Sequence, residues 1–255
     1  MQMAWDPAQY NLYATERNRP FFDLVNQVRA TSASRVADLG CGTGELTASL
    51  CRRWPNAEVL GIDSSAEMLS TGAEHSGITL RQGDAADFDA TGVDVLISNA
   101  LLQWVPSHDV LLAGWAQQLN CGGWIAVQVP ANFDAPSHVL MRELADSTRW
   151  SGRLGGILRH ADAVLTPLQY LDLLAAQAMT VTVWQTEYLH VLQGEDPVLE
   201  WVRGTGLRPV LAVLNESERA EFVAEYARLL RQAYPARDYG TIFGFTRTFV
   251  VGHKP

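Results

Sequence analysis

Three glycines at alternate positions, in Gly40-Cys41-Gly42-Thr43-Gly44, follow directly on a short apolar run from Arg35 to Leu39. Glycine there lets backbone approach a ligand closely, and the helix that begins after the loop turns its free amides toward it. This is a nucleotide-type loop, but its third glycine comes one position too early for a dinucleotide pyrophosphate loop, where this chain has Glu45. With no phosphate to repel, an acid at Asp38 is tolerated and can hold an ammonium group, directly or through water. Asp63 stands about 20 residues further on, at the end of the next apolar run, where a carboxylate accepts from both hydroxyls of an unphosphorylated ribose. Asp84, in Gly83-Asp84-Ala85, can accept from an adenine amino group while the Ala85 amide donates to the ring. Three acids after three successive runs describe a site for adenosine plus an amino acid.

Other chemistries lack residues. The only lysine is Lys254, so a Schiff base or a lysine general base has no candidate inside the fold. Cys41, Cys51 and Cys121 lack the close pairing of a zinc or redox site. The six histidines form no His-Glu-x-x-His pattern, and no metal site is expected.

The elements that must hold these residues follow from periodicity. Strands are expected at Arg35 to Leu39, Glu58 to Ile62, Ile78 to Arg81, Val93 to Ser98 and Trp124 to Val129. Helices alternate with them: one from Phe21 to Val28, one through Leu46 and Leu50 to Pro55, one from Ala66 to Glu74 capped by Ser64 with Glu67 behind it, and one carrying Val110, Leu111 and Leu119. That alternation predicts βαβ units and a parallel sheet covered on both faces. Beyond Val129 come helical stretches at His138 to Trp150 and Leu168 to Ala178, the latter opened by Thr166 and Pro167. A strand at Val181 to Val191, one helical stretch from Pro197 to Tyr234 and a last strand at Phe243 to Val251 complete the chain. The expected fold is α/β: a doubly wound, mostly parallel seven-stranded sheet, with a helical cap from insertions after the fifth and sixth strands. A single domain is expected, its core at about 30–130, 180–191 and 243–252, its cap at about 131–165 and 192–240 together with residues 1–20.

Nineteen basic against 28 acidic residues, net −9, give the surface the wrong sign for nucleic acid. No window has the apolar length of a membrane span, and the first 19 residues lack a basic patch followed by an apolar run, so a cytoplasmic monomer is expected.

The loop, Asp63, Gly83-Asp84-Ala85 and Leu119-Asn120-Cys121-Gly122-Gly123, taken in register, resemble the class I methyltransferase signature over residues 35–129. The resemblance implies S-adenosylmethionine as cofactor, held by Asp38, Gly40, Gly42, Gly44, Asp63, Ser64, Met68, Asp84, Ala85 and Asn99. Outside that core, Trp5-Asp6-Pro7 with Tyr10 and Glu16-Arg17, Ser98 to Trp104, His138 to Glu143, Trp201-Val202, Thr205 to Pro209 and Arg247 look like the trans-aconitate methyltransferase family. The chain departs from it at Thr43, where proline would be expected, and around 149–161, where the match is loose. The implied reaction esterifies one carboxylate of a small polycarboxylic acid, giving a monomethyl ester and S-adenosylhomocysteine.

That reaction suits the residues present. A carboxylate is already ionised at neutral pH, so no general base is required, and in-line positioning can supply about 7–11 kcal/mol. A multiply anionic acceptor does need donors, and the candidates are Arg17, Arg149, Arg203 and Arg247, helped by Tyr10, Gln103, Trp104 and His160. The same core would serve a malonyl thioester on a carrier protein, although Arg52-Arg53 is too isolated to make a basic docking patch. A protein that binds the cofactor without turnover is the alternative of another class.

Overall fold

The structure is a computed structural model that describes residues 14–71 and 75–255, with side chains from residue 18 onward. In chain order the elements are α1 (Ala14–Val25), β1 (Arg35–Leu39), α2 (Glu45–Arg53), β2 (Glu58–Asp63), α3 (Ala66–Thr71), β3 (Ile78–Gln82), β4 (Val95–Asn99), α4 (His108–Gln118), β5 (Trp124–Pro130), α5 (Pro136–Ala145), α6 (Ser151–Leu154), α7 (Pro167–Ala175), β6 (Thr180–Leu192), α8 (Pro197–Arg203), α9 (Arg208–Val213), α10 (Glu216–Ala233), β7 (Ala236–Arg237) and β8 (Gly240–His253). The sheet runs β3-β2-β1-β4-β5-β8-β6, with two-residue β7 paired to β8. β1 to β5 are parallel and β8 is antiparallel to β5, so the expected doubly wound, mostly parallel sheet is present, with β7 as a short addition.

The chain divides into two compact units, each with its own core. Among the described residues, the first comprises 15–71, 75–130, 163–186 and 247–255, and the second 14, 131–162 and 187–246. In the first, β1 reads Val-Ala-Asp-Leu with every one of these positions buried, the pattern of a strand covered on both faces. Leu39, Ile62, Leu96, Leu112, Trp115, Val127 and Val250 belong to one cluster there, with Tyr170 and Leu174 of α7 packed into it. In the second unit Met141, Trp150, Trp201, Phe222, Tyr226 and Phe243 form a separate aromatic-rich cluster. Among the described residues no helix is long and apolar enough to cross a membrane.

Thr166 caps α7 in a full capping box with Gln169, and Pro167 sits in its first turn, as its sequence predicts. Other boundaries differ for local reasons. The cap of α3 is Ser65, whose Oγ accepts from the Met68 amide at 3.2 Å, and not Ser64: the capping residue must immediately precede the first helical residue, here Ala66. The expected end of that helix at Glu74 lies outside the described residues. α1 begins earlier than Phe21 and accommodates Pro20. The single stretch expected from Pro197 to Tyr234 is three helices. Gly204 ends the first, Pro209 sits in the first turn of the second, and Asn215 caps the third through a capping box with Glu218. His138 to Trp150 likewise resolves into α5, a turn, and α6.

Candidate functional site

In an open α/β sheet ligands bind outside the carboxyl ends of the strands, where the strand order reverses. Here that point lies between β1 and β4, and the segments that follow them meet. Gly40, Gly42 and Gly44 all have positive φ, at 77°, 58° and 78°. A Cβ on Gly40 would stand 2.9 Å from the Cβ of Leu101, in the segment after β4, so glycine is required by conformation and by contact together.

The loop is fastened to β2. The amides of Gly40 and Cys41 donate to the Ile62 carbonyl at 2.8 and 3.1 Å, and the Gly42 amide donates to Asp63 Oδ2 at 2.9 Å. Asp63 Oδ1 accepts from the Ser65 amide at 2.9 Å. Two backbone donors therefore fix the Asp63 carboxylate in one orientation, and each oxygen keeps a further lone pair for a ligand. Met68 is buried, with its Cε 3.2 Å from where a Cβ on Gly42 would be. Ser64 is exposed and accepts at its carbonyl from Gln82 Nε2 at 3.2 Å.

Asp38 is 3 % exposed and accepts from Thr47 Oγ1 at 2.6 Å. Burial raises its pKa to about 6, the Thr47 hydroxyl opposes that, and the Asp63 charge adds to it. An acid held this way is a poor resident for an empty interior and a good partner for an ammonium group. Burial, with Asp38 and Asp63 nearby, also pushes the Cys41 thiol far up, so it is not a nucleophile. After β3, Asp84 is exposed and caps a 3-10 turn over Ala85–Asp87 by accepting from the Ala86 amide at 2.9 Å, while Ala85 is buried. At the end of β4, Asn99 has a buried Oδ1 that lacks a hydrogen bond among the described residues.

The same unit gathers part of the expected acceptor set. The Ala100 amide donates to the Gln128 carbonyl at 2.9 Å, and Ala100 itself takes a positive φ of 57°. Gln103 is buried, its Nε2 donating to the Ala100 carbonyl at 2.6 Å, and Trp104 closes the 3-10 turn Leu102–Trp104. Arg247 on β8 is 6 % exposed and donates from Nη1 to Gln128 Oε1 at 3.2 Å. Gln128 stands opposite Asn99 in the β4–β5 register, so Asn99, Ala100 and Arg247 all meet this glutamine, and Gln103 is tied to it through Ala100.

The remaining candidates are not gathered in this way. Arg149, in the second unit, pairs with Glu221 and lies over the Trp150 ring, 4.8 Å from its centre. Arg203 pairs with Glu200 at 3.2 Å along α8, and His160 is exposed. Tyr10 and the side chain of Arg17 lie outside the described residues. Sequence reasoning passed over a different basic group in the second unit. His138 and Arg142 share one face of α5 four residues apart, and both Arg142 and Arg159 press positive charge on His138. That spacing was the available signal. Among the described residues, no group of three or more histidine, cysteine, aspartate or glutamate side chains could hold a metal ion.

Comparison with known proteins adds an independent line. A methyltransferase domain model matches residues 36–123. The chain is 50% identical over 262 residues to a trans-aconitate 2-methyltransferase of Streptomyces avermitilis, covering 98% of this chain and 97% of that one. It is 52% identical to a trans-aconitate 2-methyltransferase of Streptomyces coelicolor, over 98% of this chain and 87% of that one. Among solved structures, the YcgJ protein from Bacillus subtilis superposes with a TM-score of 0.57 over 94% of this chain and 98% of its own, at 13% identity, a likeness of fold.

Proposed function

The chain belongs to the trans-aconitate 2-methyltransferase family, and from that premise we propose that it transfers a methyl group from S-adenosylmethionine to one carboxylate of trans-aconitate, releasing the monomethyl ester and S-adenosylhomocysteine. The observation that carries the reading is the set of groups at the ends of β1 to β4: a glycine cradle, a carboxylate fixed by two backbone amides, a buried acid whose charge is destabilised, and a buried amide oxygen with no hydrogen bond among the described residues. These suit the cofactor part by part. Asp63 takes the ribose hydroxyls, Asp38 and Asn99 face the ammonium end, and Asp84 with the Ala85 amide takes the adenine edge, with Met68 and Ser64 alongside. The alternating glycines leave room for backbone contact without a pyrophosphate.

When bound, S-adenosylmethionine supplies a methyl group made electrophilic by its sulfonium. The acceptor carboxylate is ionised at neutral pH, so the chain's work is alignment and exclusion of water, and no side chain has to take a proton. Arg247, whose guanidinium is held by Gln128, is the donor we assign to the acid, with Gln103 and Trp104 as its helpers. Arg17, Arg203, Tyr10 and His160 remain proposals for the same acid. Arg149, which pairs with Glu221 as Arg203 does with Glu200, is proposed for it as well. We further propose a cytoplasmic monomer that binds no nucleic acid, on the strength of its net charge of −9.

A panel of small di- and tricarboxylic acids, assayed for transfer of a labelled methyl group, tests the acceptor. Trans-aconitate should be the preferred substrate. A carrier-bound malonyl group preferred over every free acid would replace this reading.

A further inference from the structure

β5 buries five consecutive residues, Ile125 to Val129, and all are apolar but one: Gln128, which is 0 % exposed and belongs to the first unit. A primary amide carries two N–H donors and a carbonyl, and taking it out of water without partners costs free energy that an apolar side chain of the same size would not. The backbone of this residue is fixed on both sides. Gln128 stands in register with Asn99 of β4 and Phe249 of β8, and its carbonyl accepts from the Ala100 amide at 2.9 Å.

The side chain is fixed at one atom only. A guanidinium has donors alone, so the atom that meets Arg247 Nη1 at 3.2 Å must be the amide oxygen, which leaves Nε2 at the other corner. That nitrogen is buried and makes no hydrogen bond among the described residues. A matching group stands one strand away. Asn99 Oδ1 is likewise buried with no hydrogen bond among the described residues, and although the two amides are opposite each other in the register, donor and acceptor do not bond to one another. The two open groups have opposite polarity. The reaction proposed above brings a cationic cofactor next to an anionic acid, and an open carbonyl suits the ammonium end of the first while an open N–H suits a carboxylate of the second. Asn99, Gln128 and Arg247 all belong to the unit that also holds the glycine loop, Asp38 and Asp63, so this contact needs nothing from the second unit.

We propose that Gln128 is a specificity-determining residue that donates from Nε2 to a carboxylate oxygen of the acceptor acid, next to the guanidinium of Arg247. This deepens the proposed function and rests on it for the identity of the acid. A buried N–H held in this way selects for an acceptor with an oxygen at that point, since an acceptor without one leaves the donor unpaired.

The test uses the full chain saturated with S-adenosylhomocysteine and labelled with nitrogen-15 in its glutamine side chains. The Gln128 amide signal is the one missing from Gln128→Met, whose melting temperature checks that it is folded. Adding trans-aconitate should move one proton resonance of that amide downfield and slow its exchange with water. In turnover, Gln128→Met should lower kcat/KM for trans-aconitate about 10- to 100-fold, the size expected for a hydrogen bond to a charged group, and leave the affinity for S-adenosylhomocysteine unchanged. The same substitution in an Arg247→Ala background separates contact from positioning. A direct donor still shows a loss of about tenfold there, whereas a residue that acted only by holding Arg247 would lose its effect. An amide signal indifferent to trans-aconitate in an enzyme that turns it over, or a Gln128→Met effect that disappears together with Arg247, would overturn the proposal. If the amide responds to the acid and no methyl is transferred, the Gln128 contact stands and the acceptor assignment falls.

Discussion

The buried acid of the cofactor cradle makes a quantitative prediction. Without ligand, Asp38 holds its proton up to about pH 6, because burial outweighs the Thr47 hydrogen bond. The proposed ammonium partner should favour the ionised form and return the pKa toward 3.8. Binding at pH 5 must then expel about 0.9 of a proton per cofactor, and at pH 7 only about 0.1. The affinity for S-adenosylhomocysteine should accordingly be about tenfold weaker at pH 5 than at pH 7, or about 1.4 kcal/mol. Calorimetric titration in buffers of different ionisation enthalpy measures proton release and affinity together. Asp38→Asn should abolish both pH effects and weaken binding at pH 7 by about 1.5–3 kcal/mol, the value of a hydrogen bond to a charged group. An affinity that is flat between pH 5 and 7, with no protons released by the wild-type protein, would refute the placement of Asp38 against the ammonium.

Three further outcomes are expected. In the ligand-free protein the raised pKa means that the folded state binds the extra proton, so stability from Asp38 is fully present below pH 3.8 and is lost as pH rises through about 6. Chemical denaturation should show Asp38→Asn losing about 3 kcal/mol less than wild type across that interval. Asp63→Ala removes the acceptor of two backbone amides as well as the ribose partner, and calorimetry should show cofactor affinity falling by two orders of magnitude or more, about 3 kcal/mol. Arg247→Ala should lower kcat/KM for the acid by about 2–5 kcal/mol in steady-state kinetics while leaving the affinity for S-adenosylhomocysteine within twofold.

The cofactor half of the site was legible because its residues follow strand ends, and strand ends are visible in local pattern. Val36 to Leu39 and Val59 to Ile62 are unbroken apolar runs apart from Asp38 and Gly61, and an acid inside such a run or just after it is conspicuous. The acceptor half was less legible because it depends on partners distant in the chain. Arg149, in the turn before α6, pairs with Glu221 of α10, which no spacing announces. Burial lowers the pKa of Arg159 to about 10, which no local pattern announces, although the four-residue step from His138 to Arg142 was there to be read. The division of 197–234 into three helices had sequence signals in Gly204, Pro209 and the Asn215–Glu218 box, but a continuous apolar period concealed them.

The account's central claim is that an ionised carboxylate of trans-aconitate accepts the methyl group. Incubating the enzyme with trans-aconitate and S-adenosylmethionine carrying a carbon-13 methyl tests it most directly. NMR of the products should show a single methyl ester signal, formed in step with S-adenosylhomocysteine and released as methanol by mild base. S-adenosylhomocysteine formed with the label on nitrogen or carbon, or no labelled product at all from trans-aconitate, would contradict it.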